Sequence, residues 1–359
     1  MKLFECQKCG QPIYFENTEC QRCHSTLGFL ADSLVMTALE PLPETGTYRP
    51  LANPQLTVRY CQNAEHAACN WLLPTHSKDT FCRACQTNRT IPDLSDAQRL
   101  ACWQRLEVAK HRLVYGLIRL GLPVVSKLKD PERGVAFDFL AGPDFDFRET
   151  QKVITGHAEG LITINIAEAD DAERERFREN MAEPYRTLLG HFRHEIGHYY
   201  WERLIQGNQP RLDSFRQMFG DEQLDYSQAL EAHYNSGAPV DWQQHYVSTY
   251  ASSHPWEDWA ETWAHYQHIV DTLETAHAFG IHVDPRDVDD PSMEAHPADF
   301  DPYRAAKFDD LIDVWLPLTY AVNSLNRSMG QPDLYPFVLQ PEVIAKLAYI
   351  HDLIGGSRG

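Results

Sequence analysis

The sequence predicts an α+β protein: a mostly helical domain with a small sheet, preceded by a short cysteine-rich module. Three observations predict it. Eight of the nine cysteines fall within the first 85 of 359 residues. A strand-like stretch follows between residues 135 and 166, with alternating apolar positions. From Asp170 onward apolar residues recur at helical spacing almost throughout. Strands followed by a run of helices argue for an α+β domain. The implied division is a cysteine-rich module over 1–92, a second domain over 93–354 and a flexible tail over 355–359.

The front module is read from cysteine spacing. Three CxxC pairs occur: Cys6/Cys9, Cys20/Cys23 and Cys82/Cys85. Two residues between cysteines let one tight turn aim both thiolates at a single ion. Two such turns complete a tetrahedral four-cysteine site. Cys6, Cys9, Cys20 and Cys23 are spaced for one zinc site, like a rubredoxin-type knuckle or short zinc ribbon. Cys61, Cys69, Cys82 and Cys85 supply a second, looser on its first side. His24, beside Cys23, and His66, between Cys61 and Cys69, are alternative donors. Disulfides or redox pairs compete with zinc. The former need an oxidising compartment, the latter usually a single CxxC beside a βαβ unit. Segments this short cannot bury a core alone, so metal would supply most of their folding energy. Cys102 lies among apolar residues of a predicted helix and reads as core.

Charge separates the two parts. Residues 1–92 hold eight Lys/Arg and eight Asp/Glu, so the net −19 belongs to residues 93–359. Such acidity repels phosphate backbones and argues against nucleic acid as a ligand. No apolar run approaches the ~18–20 residues that span a bilayer. Met1-Lys2-Leu3-Phe4-Glu5-Cys6 has no apolar signal-peptide core. The expectation is a cytoplasmic protein with no membrane segment, its cysteines reduced.

After the module, Thr90–Ser95 is a linker ending in a helix N-cap. A helix runs from Asp96 to about Leu120, closed by Gly121 and Pro123. Val135–Leu140 alternates as a strand. Lys152–Thr155 and Leu161–Ile166 flank a turn through His157 and Gly160, which predicts a hairpin. Further helices are predicted near 171–181, 184–205, 211–219, 225–235, 255–279, 305–329 and 341–353. Leu161–Ile166 is a candidate cleft edge that could pair with an extended substrate. Asn165 either faces that cleft or serves structure alone.

The helix entered at Pro184 contains His194-Glu195-Ile196-Gly197-His198, an HExxH motif. At ~3.6 residues per turn the two histidines share a face, so one ion can reach both imidazoles. Glu195 falls on an adjacent face, where it can take a proton from a water acidified by zinc. A catalytic zinc takes three protein ligands and keeps one position open. The metzincin continuation needs Gly at 201 and His at 204, but Trp201 and Leu204 stand there. The gluzincin alternative needs a glutamate on a later helix. Pro255 opens one, with Glu257 and Glu261 one turn apart. Glu257 is favoured as ligand and Glu261 as acceptor of a ligand histidine's N–H, a role that fixes the tautomer. Glu261 is the next candidate ligand. Tyr250 is a candidate hydrogen-bond donor to a developing oxyanion, with His254 and Tyr246 as alternatives. Trp256, Trp259 and Trp263 recur at helical spacing and read as core. His265 and His268 read as exposed or hydrogen-bonded.

HExGH followed by Tyr-x6-Glu-x2-Ala-Glu resembles the lethal-factor type of gluzincin metalloprotease. That resemblance implies a zincin-like domain, with Glu257 as third zinc ligand and Tyr250 as oxyanion donor. The chain resembles still more closely a bacterial family of zinc-binding metallopeptidases with N-terminal zinc ribbons. Its RHExGHYYW and HPxEDxAETxAHY helices correspond here to Arg193–Trp201 and His254–Tyr266. The likeness covers nearly the whole chain and implies a peptidase without implying a substrate.

The expectation is therefore hydrolysis of a peptide or amide bond in a peptide or protein substrate. It would use one catalytic and two structural Zn2+ ions. The competing reading is a non-catalytic zinc protein that docks a protein partner through its ribbons. The intact Glu195 argues against that, since a closed structural site needs no base.

Overall fold

In the first ninety residues, short apolar runs alternate with turn-forming Gly, Pro, Asp and Asn, so the chain is cut into small strands. A computed structural model describes residues 2–141, 156–180, 187–286, 290–296 and 300–356. The fold is α+β and divides into two compact units. One is Met1–Ile118 with Pro123–Arg174, the other Arg119–Leu122 with Glu175–Gly359.

In the first unit, β1 (Phe4–Glu5) and β2 (Pro12–Ile13) form a minimal antiparallel pair. Then β3 (Leu27–Leu30), β4 (Val35–Pro41), β5 (Tyr48–Pro50), β6 (Val58–Tyr60) and β7 (Leu72–Pro74) make a five-stranded meander in chain order. The cysteine pattern gave no sign of this sheet. Nor does the module lack a core: Phe15 and Trp71 lie 4.8 and 4.9 Å from Phe29, centroid to centroid. Tyr115 of helix α1 (Ala97–Arg119) packs on the same cluster. Asp96, rather than Ser95, caps α1, accepting the Arg99 N–H at 2.8 Å.

A second sheet has the order β10-β11-β9-β8, built from β8 (Asn88–Thr90), β9 (Ala136–Leu140), β10 (Gly156–Ala158) and β11 (Leu161–Asn165). The expected strand Lys152–Thr155 lies outside the described residues. The hairpin turn falls at Glu159 and Gly160, both with positive φ (49° and 75°), so His157 belongs to a strand. The notion of β11 as a substrate-pairing edge does not hold. Over Leu161–Thr163 it is bonded to β10 on one side and β9 on the other, leaving no free ladder. Asn165 is structural: its side chain accepts the Ala167 N–H at 3.0 Å and caps a 3-10 turn.

Helix α2 (Asp171–Asn180) begins in the first unit and ends in the second, where α3 (Leu188–Leu204) follows. Thr187 caps α3 by accepting the Gly190 N–H at 3.0 Å. Pro184, the expected entry, lies outside the described residues. Then come α4 (Gln209–Phe219), α5 (Tyr226–Ser236), α6 (Trp242–His245) and α7 (Pro255–Phe279). No residue of α5 is buried, and glycines with positive φ, Gly220 and Gly237, stand at either side of it. The unit closes with α8 (Phe308–Ser328) and α9 (Pro341–Gly355). The expected start of α8 at 305 moves to Phe308 because Pro302–Arg304 forms a separate 3-10 turn. Residues 357–359 lie outside the described residues. Among the described residues no helix is long and apolar enough to cross a membrane.

The packing of α3 on α7 positions everything that follows. A Cβ on Gly197 would stand 3.2 Å from the Ala260 Cα and the Trp263 side chain, so any larger residue would press the helices apart by a few tenths of an ångström. Trp259 Nε1 donates to the Gly197 carbonyl at 2.8 Å. Tyr200 stacks on Trp263 with centroids 5.1 Å apart. Buried Arg193 on α3 pairs with Asp271 on α7 at 2.5 Å, and Lys346 on α9 pairs with Asp258 at 2.8 Å. Inside a low-dielectric core each such charge depends on its partner.

Candidate metal centres

Cys6, Cys9, Cys20 and Cys23 converge in the first unit, all four sulfurs within 4.8 Å of one another. Cys6 and Cys23 sulfurs are 3.7 Å apart, Cys9 and Cys20 sulfurs 3.6 Å. Zn–S bonds of ~2.3 Å in a tetrahedron give an edge of ~3.8 Å, so the spacing suits zinc. Two turns shape it. Gly10 N–H donates to the Cys6 carbonyl and His24 N–H to the Cys20 carbonyl, both at 2.9 Å. His24 holds positive φ (55°), and its ring bonds exposed Glu19 at 2.7 Å, so it is no donor here. A hydrogen bond with Ser25 draws the Cys23 thiol down to about 6.

Cys61, Cys69, Cys82 and Cys85 form the second cluster, all buried, with Cys69 and Cys82 sulfurs 3.7 Å apart. Backbone N–H groups of Trp71, Cys82 and Cys85 donate to sulfurs of Cys69, Cys61 and Cys82 at 3.3–3.4 Å. His66 is not in the cluster; its ring edges onto Trp103. The histidine that does arrive is His111 of α1. Its Nε2 lies 3.6 Å from the Cys85 sulfur and its Nδ1 2.6 Å from the Glu107 carbonyl. The Glu107 carboxylate sits 3.8 Å from the same sulfur. No local spacing signals a group 26 residues downstream. Cys102 is buried in α1 and joins neither cluster.

The third cluster lies wholly within the second unit: His194, His198 and Glu257, all buried. The helical period stacks His194 and His198 on one face of α3, and the α3–α7 approach brings Glu257 opposite. The two Nε2 atoms are 3.3 Å apart. Glu257 Oε2 is 3.0 Å from His194 Nε2, and Oε1 is 3.5 Å from His198 Nε2. Zn–N bonds of ~2.0–2.1 Å at tetrahedral angles separate donors by ~3.3 Å, which matches all three. Two ring nitrogens and a carboxylate converging at this spacing can hold one cation. Among the described residues no fourth His, Cys, Asp or Glu joins the set.

The surroundings fix the donors. Glu261 Oε1 accepts from His194 Nδ1 at 2.7 Å, which turns the Nε2 lone pair toward Glu257. Ser248 donates to Glu261 Oε2 at 2.7 Å. Burial opposes charge on Glu261, yet the bond to His194 holds its carboxyl down to about 2. Burial likewise opposes charge on Glu257, but the two imidazoles hold it well below the usual range.

Glu195 is buried, with Oε1 3.2 Å from His191 Nε2 and no hydrogen-bond partner for Oε2 among the described residues. Burial is outweighed by His191 and the neighbouring imidazoles, so Glu195 stays below the usual carboxylate range. Tyr250 packs its ring 5.8 Å from that of His194. A second phenol, which the sequence did not single out, stands beside it. Tyr226 at the start of α5 donates to Glu257 Oε1 at 2.8 Å. Desolvation of the hydroxyls and the Glu257 charge push both phenols up, although the Tyr226 side chain as a whole is partly exposed, so both stay neutral.

His254 is committed elsewhere. Its Nδ1 accepts the Trp256 N–H, capping α7, and its Nε2 donates to the Leu224 carbonyl, each at 3.1 Å. The Tyr246 ring lies 4.6 Å under the Lys346 ammonium. The three tryptophans separate. Trp259 and Trp263 are core, whereas half-buried Trp256 lies 4.2 Å from the His198 ring. With Trp201, Glu222, Tyr226 and His254 it lines a cavity of about 380 Å³. His265 bonds Tyr335 OH at 2.6 Å, and His268 bonds Arg193 at 2.7 Å.

Comparison with known proteins finds zinc-binding families over both parts of the chain. A zinc-ribbon family model matches residues 3–96. A second model, described as "Putative zinc-binding metallo-peptidase", matches residues 99–353. Uncharacterized proteins of Mycobacterium bovis and Mycobacterium tuberculosis are each 42% identical over 354 residues, covering 99% of this chain and 95% of theirs. No solved structure matches. With the larger model spanning most of its length, the chain belongs to that zinc-binding metallo-peptidase family and carries an N-terminal zinc ribbon.

Proposed function

We propose that the chain is a zinc-dependent peptidase of the gluzincin type, hydrolysing a peptide or amide bond at the His194–His198–Glu257 centre. Two further zincs, in the four-cysteine clusters, serve structure. The observation that carries this is a three-donor set at tetrahedral spacing beside a buried carboxylate, Glu195, with one oxygen left over. A structural site would use a fourth protein ligand and no base. The two family models meet between residues 96 and 99, which supports a ribbon module followed by a catalytic domain.

Zinc held by these donors supplies Lewis acidity to a carbonyl and acidifies water. The rest is the work of the chain. Glu195 takes a proton from the attacking water on Oε2 and returns it to the amine as the C–N bond breaks. His191 orients that carboxylate through Oε1. Glu261, steadied by Ser248, keeps His194 in the tautomer that presents Nε2. Tyr250, a neutral phenol beside His194, can donate one hydrogen bond where charge develops on the carbonyl oxygen, while Tyr226 spends its one proton on Glu257.

The test is metal analysis and peptide cleavage on the full chain with Glu195→Gln as control. Three zincs per chain in both forms are expected, with hydrolysis in the unaltered chain alone. Equal hydrolysis by Glu195→Gln would sink the proposal.

A further inference from the structure

We propose that the cavity between Trp201, Tyr226 and Trp256 is a substrate subsite that takes an apolar side chain flanking the scissile bond. This rests on the peptidase reading of the neighbouring centre. The cavity of about 380 Å³ lies in the size range of small-ligand pockets. Its place follows from Trp256, whose ring is 4.2 Å from that of His198. One residue of extended chain spans ~3.5 Å. A peptide whose carbonyl is held at the donor cluster therefore brings an adjacent side chain to this opening.

The walls decide what enters. Trp201 and Trp256 meet edge to face at 6.2 Å, and Tyr226 meets Trp256 the same way at 6.2 Å. The carboxylate, imidazole and phenol of the lining are already bonded, and Trp201 Nε1, unpartnered among the described residues, is itself buried. Both Glu222 oxygens are taken by Arg216, Nε to Oε2 at 2.9 Å and a terminal nitrogen to Oε1 at 2.6 Å. Both His254 nitrogens are bonded, one to a backbone N–H and one to a carbonyl. The Tyr226 hydroxyl turns to Glu257. An entering lysine, arginine, aspartate or glutamate would lose its hydration and find no partner, at a cost in affinity. A phenylalanine or leucine would bury its surface against rings. The −19 charge of the chain suggests basic substrates, but the local pairing of Glu222 overrides it at this position.

The experiment measures binding, so it does not need catalysis. Zinc-loaded Glu195→Gln chain is titrated by calorimetry with N-acetyl amino-acid hydroxamates, whose hydroxamate groups chelate zinc. Phenylalanine and leucine hydroxamates should bind about 10–100-fold more tightly than glycine hydroxamate, as expected for burial of one apolar side chain. Lysine and aspartate hydroxamates should gain nothing over glycine. Equal affinities, or a preference for a charged probe, would overturn the subsite. Arg216→Met is the second arm. It frees the Glu222 carboxylate at the wall, so the lysine probe should gain about tenfold; an unchanged lysine affinity also overturns the proposal. The ranking without cleavage of any peptide would remove the peptidase and keep the pocket. Cleavage without the ranking would do the reverse. Failure of every hydroxamate to bind overturns both.

Discussion

The two kinds of metal centre differ in what stands behind the donors. In the first unit each cluster offers four sulfurs; in the second cluster Cys69 and Cys82 are bonded by backbone N–H groups of their own turns and Cys61 by that of Cys82. In the second unit the cluster offers two nitrogens and one carboxylate, fixed by side chains from distant segments: Glu261, Ser248 and Tyr226. A centre supported by its own turns can be complete within a few tens of residues. A centre supported by packed helices exists only once the unit is folded, and three donors in place of four are what the proposed chemistry needs.

The largest effect should come from breaking the first kind. Cys69→Ser should lower zinc from three to two per chain and cost several kcal/mol, up to the order of 10, as judged from structural zinc sites. Metal analysis and thermal unfolding together check this; an unchanged melting temperature would mean the aromatic core of Phe15, Phe29 and Trp71 suffices. Breaking the chemistry of the second kind without its metal comes next. Glu195→Gln should slow hydrolysis by about 10²–10⁴-fold while zinc content and melting temperature stay put.

Support for the donors can then be weakened alone. Glu261→Gln should loosen the third zinc by about 10–100-fold, read by competition with a chelator, and leave the cysteine-bound zincs untouched. Gly197→Ala should destabilise the second unit by about 1–3 kcal/mol through overpacking, because the new methyl would stand 3.2 Å from the Ala260 backbone and press it away. A variant as stable as the parent would show that the helices can part.

The smallest effect is one of pH in the first unit. Burial works against the Asp138 carboxylate, but Arg89 outweighs it and holds the group below its usual range. Its folded pKa is thus below its unfolded value, so the stabilisation is complete above about pH 4 and fades as pH falls. Arg89 is half exposed, which limits the gain to under about 1 kcal/mol. Arg89→Gln should remove this portion of the acid sensitivity; two parallel stability curves between pH 6 and pH 3 would contradict it.

What could be read in advance was whatever repeats locally. CxxC turns and the four-residue step from His194 to His198 are set by backbone geometry within one turn or helix. Pro255 marked a helix start because proline fits the first helical position, and the Glu257–Glu261 step followed. What could not be read needed contacts between segments. Tyr226 reaches Glu257 across 31 residues and His111 reaches Cys85 across 26. The five-stranded sheet was hidden because its strands are short and its cysteines drew the pattern toward turns alone. His254 looked available as a donor by position, and only its bonds to Trp256 and Leu224 show that it is spent. β11 looked like an edge until its neighbours on both sides were known.

Helix α5 has no buried residue, yet it carries Tyr226 to Glu257. Opening it exposes little apolar surface, so it belongs to the low-stability end of the molecule's local unfolding spectrum. Its amide hydrogens should exchange with solvent orders of magnitude faster than those of α3 and α7. The three metal donors and the hydroxyl that touches them then sit on different stability tiers. One phenol can leave and return on its own clock while the donor set keeps its shape.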